Sequence, residues 1–285
     1  MRQTVLRALF GRQLAMGLAL AAVTTASSHA GFVTFEVNGA NAAAITPTRD
    51  AFRAAVGGGT VAGANGSFGG VRREINWDGV PDALSDTNAL PANFFNTTSP
   101  RGAVFSTPGT GFLVSANAGL TTPVLFGFPT EFQVFSAQRL FTAVNSAITD
   151  VRFFVPGTAI PASTSAFGVI FTDVEVANAT RIDFFDVNDL LIYSRNAIAG
   201  ANQALSFVGA QANAGERIGR VRITSGVNTI VRNGVLGNPT DDVVAMDDFL
   251  YAEAVALPEP ASLLLAALAL GGLGGVASRR RRALD

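Results

Sequence analysis

The sequence predicts an all-β protein, a single jelly-roll-like antiparallel β-sandwich with one or two short helices. Between residues 31 and 252, short apolar runs are separated by Gly, Pro, Asn and Asp, which is the composition of strands joined by turns. Several of these runs alternate apolar and polar residues, the period of a half-buried strand. No segment recurs at a fixed period, so we expect residues 31–252 to form one sandwich.

Nine segments are predicted as strands, and one of them shows the alternation clearly. Val221 and Ile223 would lie on one face of this strand, and Arg220 and Arg222 on the other. The other candidates, in chain order, are residues 32–37, 111–116, 148–155, 167–172, 181–187, 190–194, 204–208 and 243–251. Residues 186–189, with the sequence Asp-Val-Asn-Asp, are predicted to form a hairpin turn.

The clearest helix signal begins at residue 46. Thr46 is a candidate N-cap and Pro47 suits the first helical turn. Phe52 and Val56 would share one face, and the glycines that begin at Gly57 would end the helix. A second, short helical turn is predicted near residue 91.

The N-terminal segment, residues 1–30, has the features of a secretory signal peptide. Three arginines precede an apolar run at residues 14–23, and small residues then lead to Ala30. Signal peptidase recognises this order of charge, apolar run and small residues. We therefore expect cleavage between Ala30 and Gly31, with an uncleaved membrane anchor as the alternative.

The C-terminal tail has three parts, and residues 253–257 are predicted to link it to the domain. It begins with Pro258, Glu259 and Pro260 and continues with the uncharged apolar residues 261–277. The four arginines after this run are Arg279, Arg280, Arg281 and Arg282. The apolar run is at the short end of what spans a bilayer, and an arginine cluster stays on the cytoplasmic side. A transmembrane helix over residues 261–277 would therefore place the domain outside.

This tail resembles the PEP-CTERM sorting signal, which has a Pro-Glu-Pro motif, one hydrophobic helix and an arginine-rich tip. The resemblance implies export across the inner membrane of a Gram-negative bacterium, transient anchoring by the helix, and recognition of residues 258–260 by an exosortase. It implies a final location at the cell surface or outside the cell, where such proteins are typically associated with exopolysaccharide. Residues 166–174 and 246–251 also resemble uncharacterised domains that carry the same tail. A plain membrane anchor is the alternative.

Composition excludes several classes of function. Residues 31–257 contain 13 Arg and 19 acidic residues, a net charge of 13 − 19 = −6, and the chain has no Lys, so no nucleic-acid-binding surface is expected. The chain has no Cys, and its single His, His29, lies in the predicted signal peptide. The mature domain would therefore lack the groups for Ser-His-Asp or Cys-His catalysis, for Schiff bases, and for imidazole or thiolate metal sites.

Carboxylates remain, and one cluster suggests a metal site. Strict alternation along a strand would place Asp247 and Asp248 on opposite faces, each among apolar neighbours, which is costly unless something pairs with the charge. No cofactor is required by the sequence, but a structural calcium ion would satisfy these acids. In sugar-binding jelly rolls, which the sequence resembles in outline, the first and last strands are often adjacent, so Glu36 could complete the site. Alternatively, Asp241 and Asp242 cap a loop and arginines neutralise the others.

A second cluster surrounds the only Trp. Trp77 could act as an aromatic platform for a sugar, with planar polar partners beside it. The candidate partners are Arg73, Glu74, Asn76 and Asp78. A single Trp in a chain with 22 Phe is more often a core residue, and this interpretation is favoured.

The sequence favours a non-catalytic surface or extracellular-matrix protein that is associated with exopolysaccharide. Signal peptidase and exosortase would be its processing enzymes, and the membrane would be contacted through the C-terminal helix. A purely structural envelope protein without a ligand is the first alternative. A carboxylate-dependent glycan hydrolase is the second, with Glu74 and Asp78 or Asp183 and Asp186 as candidate pairs. The shortage of Trp and Tyr argues against an enzyme that acts on long glycans.

Overall fold

The computed structural model describes residues 31–116, 125–230 and 242–257, which form two antiparallel sheets and two helices. This arrangement confirms the predicted all-β sandwich. The predicted signal peptide and the tail from residue 258 onward lie outside the described residues. Within the described part, neither helix has the length and apolar character needed to cross a membrane.

The described residues contain fifteen strands, together with three 3-10 helices at Ala64–Gly66, Asp82–Leu84 and Leu125–Gly127. The strands are β1 (Phe32–Gly39), β2 (Ser67–Phe68), β3 (Arg72–Ile75), β4 (Ala103–Ser106), β5 (Gly111–Val114), β6 (Phe141–Val144), β7 (Ile148–Phe154), β8 (Pro161–Ser163), β9 (Ala166–Thr172), β10 (Arg181–Phe185), β11 (Leu191–Asn196), β12 (Leu205–Ala212), β13 (Arg220–Thr224), β14 (Ala245–Ala252) and β15 (Val255–Ala256). The helices are α1 (Ala42–Val56) and α2 (Phe94–Thr97). Each of the nine predicted strands corresponds to one of these strands, with shifted ends.

Each sheet contains strands that are distant in sequence. The first sheet has the order β1-β12-β9-β14-β3-β2, and β6 pairs with β14 and with β5. The second has the order β11-β10-β13-β7-β8-β15, and β4 also pairs with β7. The hairpin predicted at residues 186–189 joins β10 and β11.

Aromatic side chains fill the space between the two sheets. Trp77 is fully buried at its centre and stacks on Phe141 of the first sheet, with ring centroids 4.0 Å apart and planes 2° from parallel. Phe249 meets the Trp77 ring edge-on at 5.1 Å. Phe153 and Phe184 contribute from the second sheet. Aromatic pairs of this kind add to the free energy gained from burying their area.

Helix α1 covers the outer face of the first sheet, and its start differs from the prediction. Its N-cap is Asn41, whose side chain accepts a hydrogen bond of 3.1 Å from the Ala44 backbone N–H. Thr46 lies inside the helix and donates to the Ala42 carbonyl, so it is not the cap. Pro47 is also internal, and Gly57 ends the helix as predicted. Asn41 is the better cap because the residues after it include three consecutive alanines, strong helix formers.

Residues 253–257 belong to the folded domain, so their prediction as a linker is wrong. Val255 and Ala256 form β15, which pairs with Ser163 and Ala162 of β8. The Glu253 carboxylate accepts hydrogen bonds from Arg73 Nε, at 2.8 Å for each oxygen. The short length and polar start of this segment give no strand signal in the sequence.

Candidate functional site

A β-bulge in β14 shapes the cluster of polar side chains beneath helix α1. Met246 is opposite Phe171 and Phe249 is opposite Val169, so both Asp247 and Asp248 lie opposite the single residue Ile170. Two residues opposite one is the definition of a bulge, which interrupts the alternation of side chains. The prediction that the two aspartates face opposite sides of the sheet is therefore wrong.

Both aspartates contact the same hydroxyl group. Ser136 Oγ lies 3.0 Å from Asp247 Oδ1 and 3.0 Å from Asp248 Oδ1. The other oxygen of Asp247 accepts a 2.6 Å hydrogen bond from the Phe135 backbone N–H. Asp247 has no exposed surface, and burial, followed by the neighbouring charge of Asp248, raises its pKa well above the usual range. The side chains of Asp247 and Asp248 are thus joined through the Ser136 hydroxyl group.

Asp248 is the member of this pair that reaches a cleft. Burial raises its pKa, and hydrogen bonds with Asp247 and Ser136 offset part of that effect. The nearest cation is Arg49, whose Nη1 is 4.0 Å from Asp248 Oδ2. Arg49 donates from Nε to Asp50 at 2.7 Å, so its closer ion pair is with that exposed carboxylate.

Glu74 on β3 is the second carboxylate of the cleft, and arginines hold it firmly. Arg53 of helix α1 binds it with both Nε and Nη2, the first at 2.8 Å. The buried Arg72 donates from Nε to the same carboxylate at 2.7 Å. Two guanidinium groups thus hold the Glu74 side chain in place, and these ion pairs also tie the helix to the sheet.

The cleft itself has a volume of about 550 Å³. Its lining combines charged, amide, hydroxyl and aromatic side chains that come from five parts of the chain. They include Arg49, Arg53, Asn65, Phe68, Glu74, Asn76, Arg101, Phe135, Ser136 and Asp248. A second cavity of about 480 Å³ shares Arg53 and Phe68 with it. The two cavities are therefore neighbours along one surface.

Arg101 is the cation of the cleft with the weakest compensation. Its Nη1 donates to the Glu74 backbone carbonyl at 2.7 Å, and its guanidinium carbon lies 5.0 Å from the Phe95 ring centroid. Its Nε is buried without a hydrogen-bond partner, and Arg101 forms no ion pair with a carboxylate among the described residues. Burial lowers the pKa of this guanidinium.

The predicted sugar platform is not present at Trp77. The ring has no exposed surface, and its Nε1 donates to the Asp247 carbonyl at 2.7 Å, so Trp77 is a core residue that also supports the bulge. Glu74 and Asn76 line the cleft, whereas Arg73 is paired with Glu253. Asp78 accepts hydrogen bonds from the backbone of residues 138 and 139 and fixes that loop.

The strand order does not bring Glu36 beside Asp247 and Asp248, and the structural calcium ion itself stays a prediction. Strands β1 and β14 are separated by β12 and β9, so the first and last long strands are not adjacent. Glu36 is instead paired with Arg195. The described residues contain no group of three or more acidic, His or Cys side chains placed to hold a metal ion.

Other acidic residues have local structural roles. Asp242 accepts hydrogen bonds from the Glu175 and Val176 backbone, as the loop-capping alternative expects. Asp183 is bound by Arg181 and Ser194. Asp186 accepts from the backbone N–H groups of residues 188 and 190 and thereby closes the hairpin. The pair of Asp183 and Asp186 is therefore explained without catalysis.

The three arginines and the serine of the cleft were not predicted as site residues from the sequence. Arg49 and Arg53 lie one helical turn apart on α1, so a stripe of arginines on one helix face was the available signal. Arg101 and Ser136 lie in loops and carry no local signal. Their role depends on contacts with residues more than 20 positions away.

Comparison with known proteins gives no family assignment. No protein-family model matches the chain, and no curated protein matches it. The site is therefore interpreted from its own geometry.

Proposed function

We propose that this protein is an exported bacterial surface or extracellular-matrix protein that binds exopolysaccharide without cleaving it, through the cleft beneath helix α1. The observation that carries the binding role is the lining of this cleft, where guanidinium, carboxylate, amide and hydroxyl groups converge beside two phenylalanines. Convergent polar groups in a largely preformed cleft are typical of binding sites for small polar units.

The chemistry of the lining suits a sugar. Sugar hydroxyl groups both donate and accept hydrogen bonds, and the planar side chains of Arg53, Glu74 and Asn76 offer both functions in fixed positions. Phe68 and Phe135 supply apolar contact area. Because a second cavity adjoins the cleft, the surface can accept a chain longer than one sugar unit.

The proposed export and sorting rest on the two ends of the sequence. Signal peptidase would cleave after Ala30, and an exosortase would recognise the motif at residues 258–260. The predicted transmembrane helix, residues 261–277, would hold the chain at the inner membrane before release to the surface. The sandwich is observed, and a jelly-roll-like arrangement of its strands is part of the same proposal.

Binding can be tested with the full-length protein and exopolysaccharide purified from a bacterium that produces it. We expect the melting temperature to rise with polysaccharide, since ligand at 100 times its Kd stabilises a folded protein by about 2.7 kcal/mol. Asn76→Ala should weaken binding about 5-fold because one hydrogen-bonding group is lost. Titration calorimetry would measure the Kd.

A matched control is available for this variant. Asn188, like Asn76, is exposed and donates to an aspartate two positions away, but it lies in the hairpin between β10 and β11. Asn188→Ala should bind as tightly as the unmodified protein. If exopolysaccharide changes neither the melting temperature nor the heat signal, the binding role is overturned and a purely structural envelope protein is the better description.

Glycan hydrolysis is the second candidate, because Glu74 and Asp248 both line the cleft and the pKa of Asp248 is raised by burial. A protonated acid beside an ionised carboxylate is the pair that glycosidases use. Against this role, arginines occupy both oxygens of Glu74. Incubation with exopolysaccharide should release no new reducing ends, and their release would favour the hydrolase.

A further inference from the structure

We infer that the cleft binds an acidic polysaccharide, with a sugar carboxylate held between Arg101 and Arg49. This inference rests on the proposed polysaccharide binding and specifies the ligand class. The observation behind it is an excess of guanidinium groups over carboxylates that can pair with them.

The charges around the cleft do not balance. Three guanidinium groups line it, those of Arg49, Arg53 and Arg101, against two carboxyl groups. Glu74 is bound by Arg53 and also by Arg72, and neither Arg49 nor Arg101 pairs with its carboxylate. Asp248 is hydrogen-bonded to Ser136 and lies 4.0 Å from Arg49. Arg101, which pairs with no described carboxylate, is thus the main group left to receive an anion, and Arg49, whose Nε is bound to Asp50, keeps its other two nitrogens for it.

Arg101 has hydrogen-bond donors available for an anionic partner. It makes one hydrogen bond to a neutral carbonyl, and its Nη2 donates to no described residue. A half-buried guanidinium without a carboxylate is costly, and an incoming anion removes this cost. A carboxylate fits the planar donor pairs of a guanidinium group through two parallel hydrogen bonds.

Arg49 is held in place by an aromatic ring. Its guanidinium carbon lies 4.8 Å from the centroid of Phe135, as that of Arg101 lies 5.0 Å from Phe95. Such contacts restrict both side chains before a ligand arrives. The carboxyl group of Asp248, 4.0 Å from Arg49, is too far for a direct hydrogen bond and leaves donors available.

The domain as a whole is acidic, in contrast to the local excess of arginine side chains in the cleft. Residues 31–257 have a net charge of 13 − 19 = −6, so long-range electrostatics would repel an acidic polymer. Binding would therefore depend on the few arginines of the cleft. A substitution of one of them should have a large effect.

The test uses the full-length protein and two polymers with one backbone, polygalacturonate and the same polymer after chemical reduction of its carboxyl groups. We expect the acidic polymer to bind at least about 10-fold more tightly than the reduced one. Dextran sulfate is included to separate carboxylate recognition from attraction to any anion, and it should bind more weakly than polygalacturonate.

Variants assign the effect to residues. Arg101→Gln should weaken binding of polygalacturonate at least about 10-fold more than it weakens binding of the reduced polymer. Arg195→Gln is the matched control, because it removes the same charge from an exposed arginine outside the cleft. It should leave both affinities unchanged. Arg49→Gln gives a second test if Arg101→Gln does not fold.

The possible results distinguish recognition of a sugar carboxylate from polysaccharide binding in general. Equal binding of the acidic and reduced polymers would overturn carboxylate recognition and keep polysaccharide binding. Tighter binding of dextran sulfate than of polygalacturonate would also overturn it. Failure of these polymers and of bacterial exopolysaccharide to bind would overturn both.

Discussion

Asp173 shows how strongly a single buried acid can respond to pH in this domain. It is 3% exposed, it adopts a positive φ of 68°, and it accepts a hydrogen bond of 2.9 Å from the Gln203 backbone N–H. Burial, together with the nearby acids Glu175, Glu131 and Asp242, raises its pKa to about 7. Its proton is therefore bound more tightly in the folded than in the unfolded chain.

The raised pKa of Asp173 predicts how the free energy of unfolding depends on pH. Because the folded pKa is about 7 and the ordinary value is 3.8, the stability contributed by protonated Asp173 is fully present below pH 3.8 and is lost as the pH rises to about 7. The loss should be on the order of 4 kcal/mol. Asp173→Asn should reduce this slope, since it removes one titrating acid and Asn tolerates the same φ. Denaturant unfolding at a series of pH values measures it.

The control for this variant is an acid in a similar turn. Asp186→Asn, in the hairpin between β10 and β11, should leave the slope unchanged. A slope between pH 4 and 7 that is as steep in Asp173→Asn as in the unmodified protein would contradict the role of Asp173.

At the scale of single residues, the sequence indicated which groups need a compensating partner when buried, but not which residues supply it. Asp247 and Asp248 were expected to need compensation, and they have it from Ser136 and, for Asp247, from the Phe135 N–H. Trp77 was favoured as a core residue, and it is one. Arg49, Arg53 and Arg101 were missed because their importance depends on which carboxylates other parts of the chain already occupy.

Helix α1 allows a test at the scale of one element, because it has two candidate caps. Asn41→Ala should destabilise the protein by about 1 kcal/mol, since it leaves the Ala44 N–H without its side-chain acceptor. Thr46→Ala should cost less, because the Thr46 hydroxyl bonds to a carbonyl inside the helix. Thermal unfolding compares them, and an equal or larger loss for Thr46→Ala would contradict the assignment of Asn41 as cap.

Strands with alternating or continuous apolar residues were predictable, and short polar strands were not. β13 has alternating residues and β9 is apolar throughout, so both were found. β3, with the sequence Arg-Arg-Glu-Ile, is largely buried yet charged, and its ion pairs with α1 and Glu253 compensate the charges that pairing with β14 buries. The bulge in β14 was missed because its signal is the pairing with β9, which a single strand does not reveal.

At the scale of the whole molecule, the last prediction concerns residues 253–257, which are part of the folded domain. The ion pair between Arg73 and Glu253 joins β3 to the segment that carries β15. Glu253→Ala should weaken this attachment by about 0.5 to 1 kcal/mol, since both side chains are largely buried. Amide hydrogen exchange should become faster in residues 253–257.

The control again removes a glutamate that is paired with an arginine. Glu36→Ala breaks the pair with Arg195 and should not change exchange in residues 253–257. Equal exchange in Glu253→Ala and the unmodified protein would show that backbone pairing with β8 holds the segment without the ion pair.

The pairing of β15 with β8 also fixes the distance between the domain and whatever follows residue 257. A flexible linker of five residues would let the two ends separate by about 12 Å on average and turn freely. Because residues 253–257 are bound to the sheet, they provide no such separation. The Leu257 N–H itself donates to the Pro161 carbonyl. Under the proposed sorting, the enzyme that reads residues 258–260 would work directly against a folded surface, and the domain would face the membrane in one orientation.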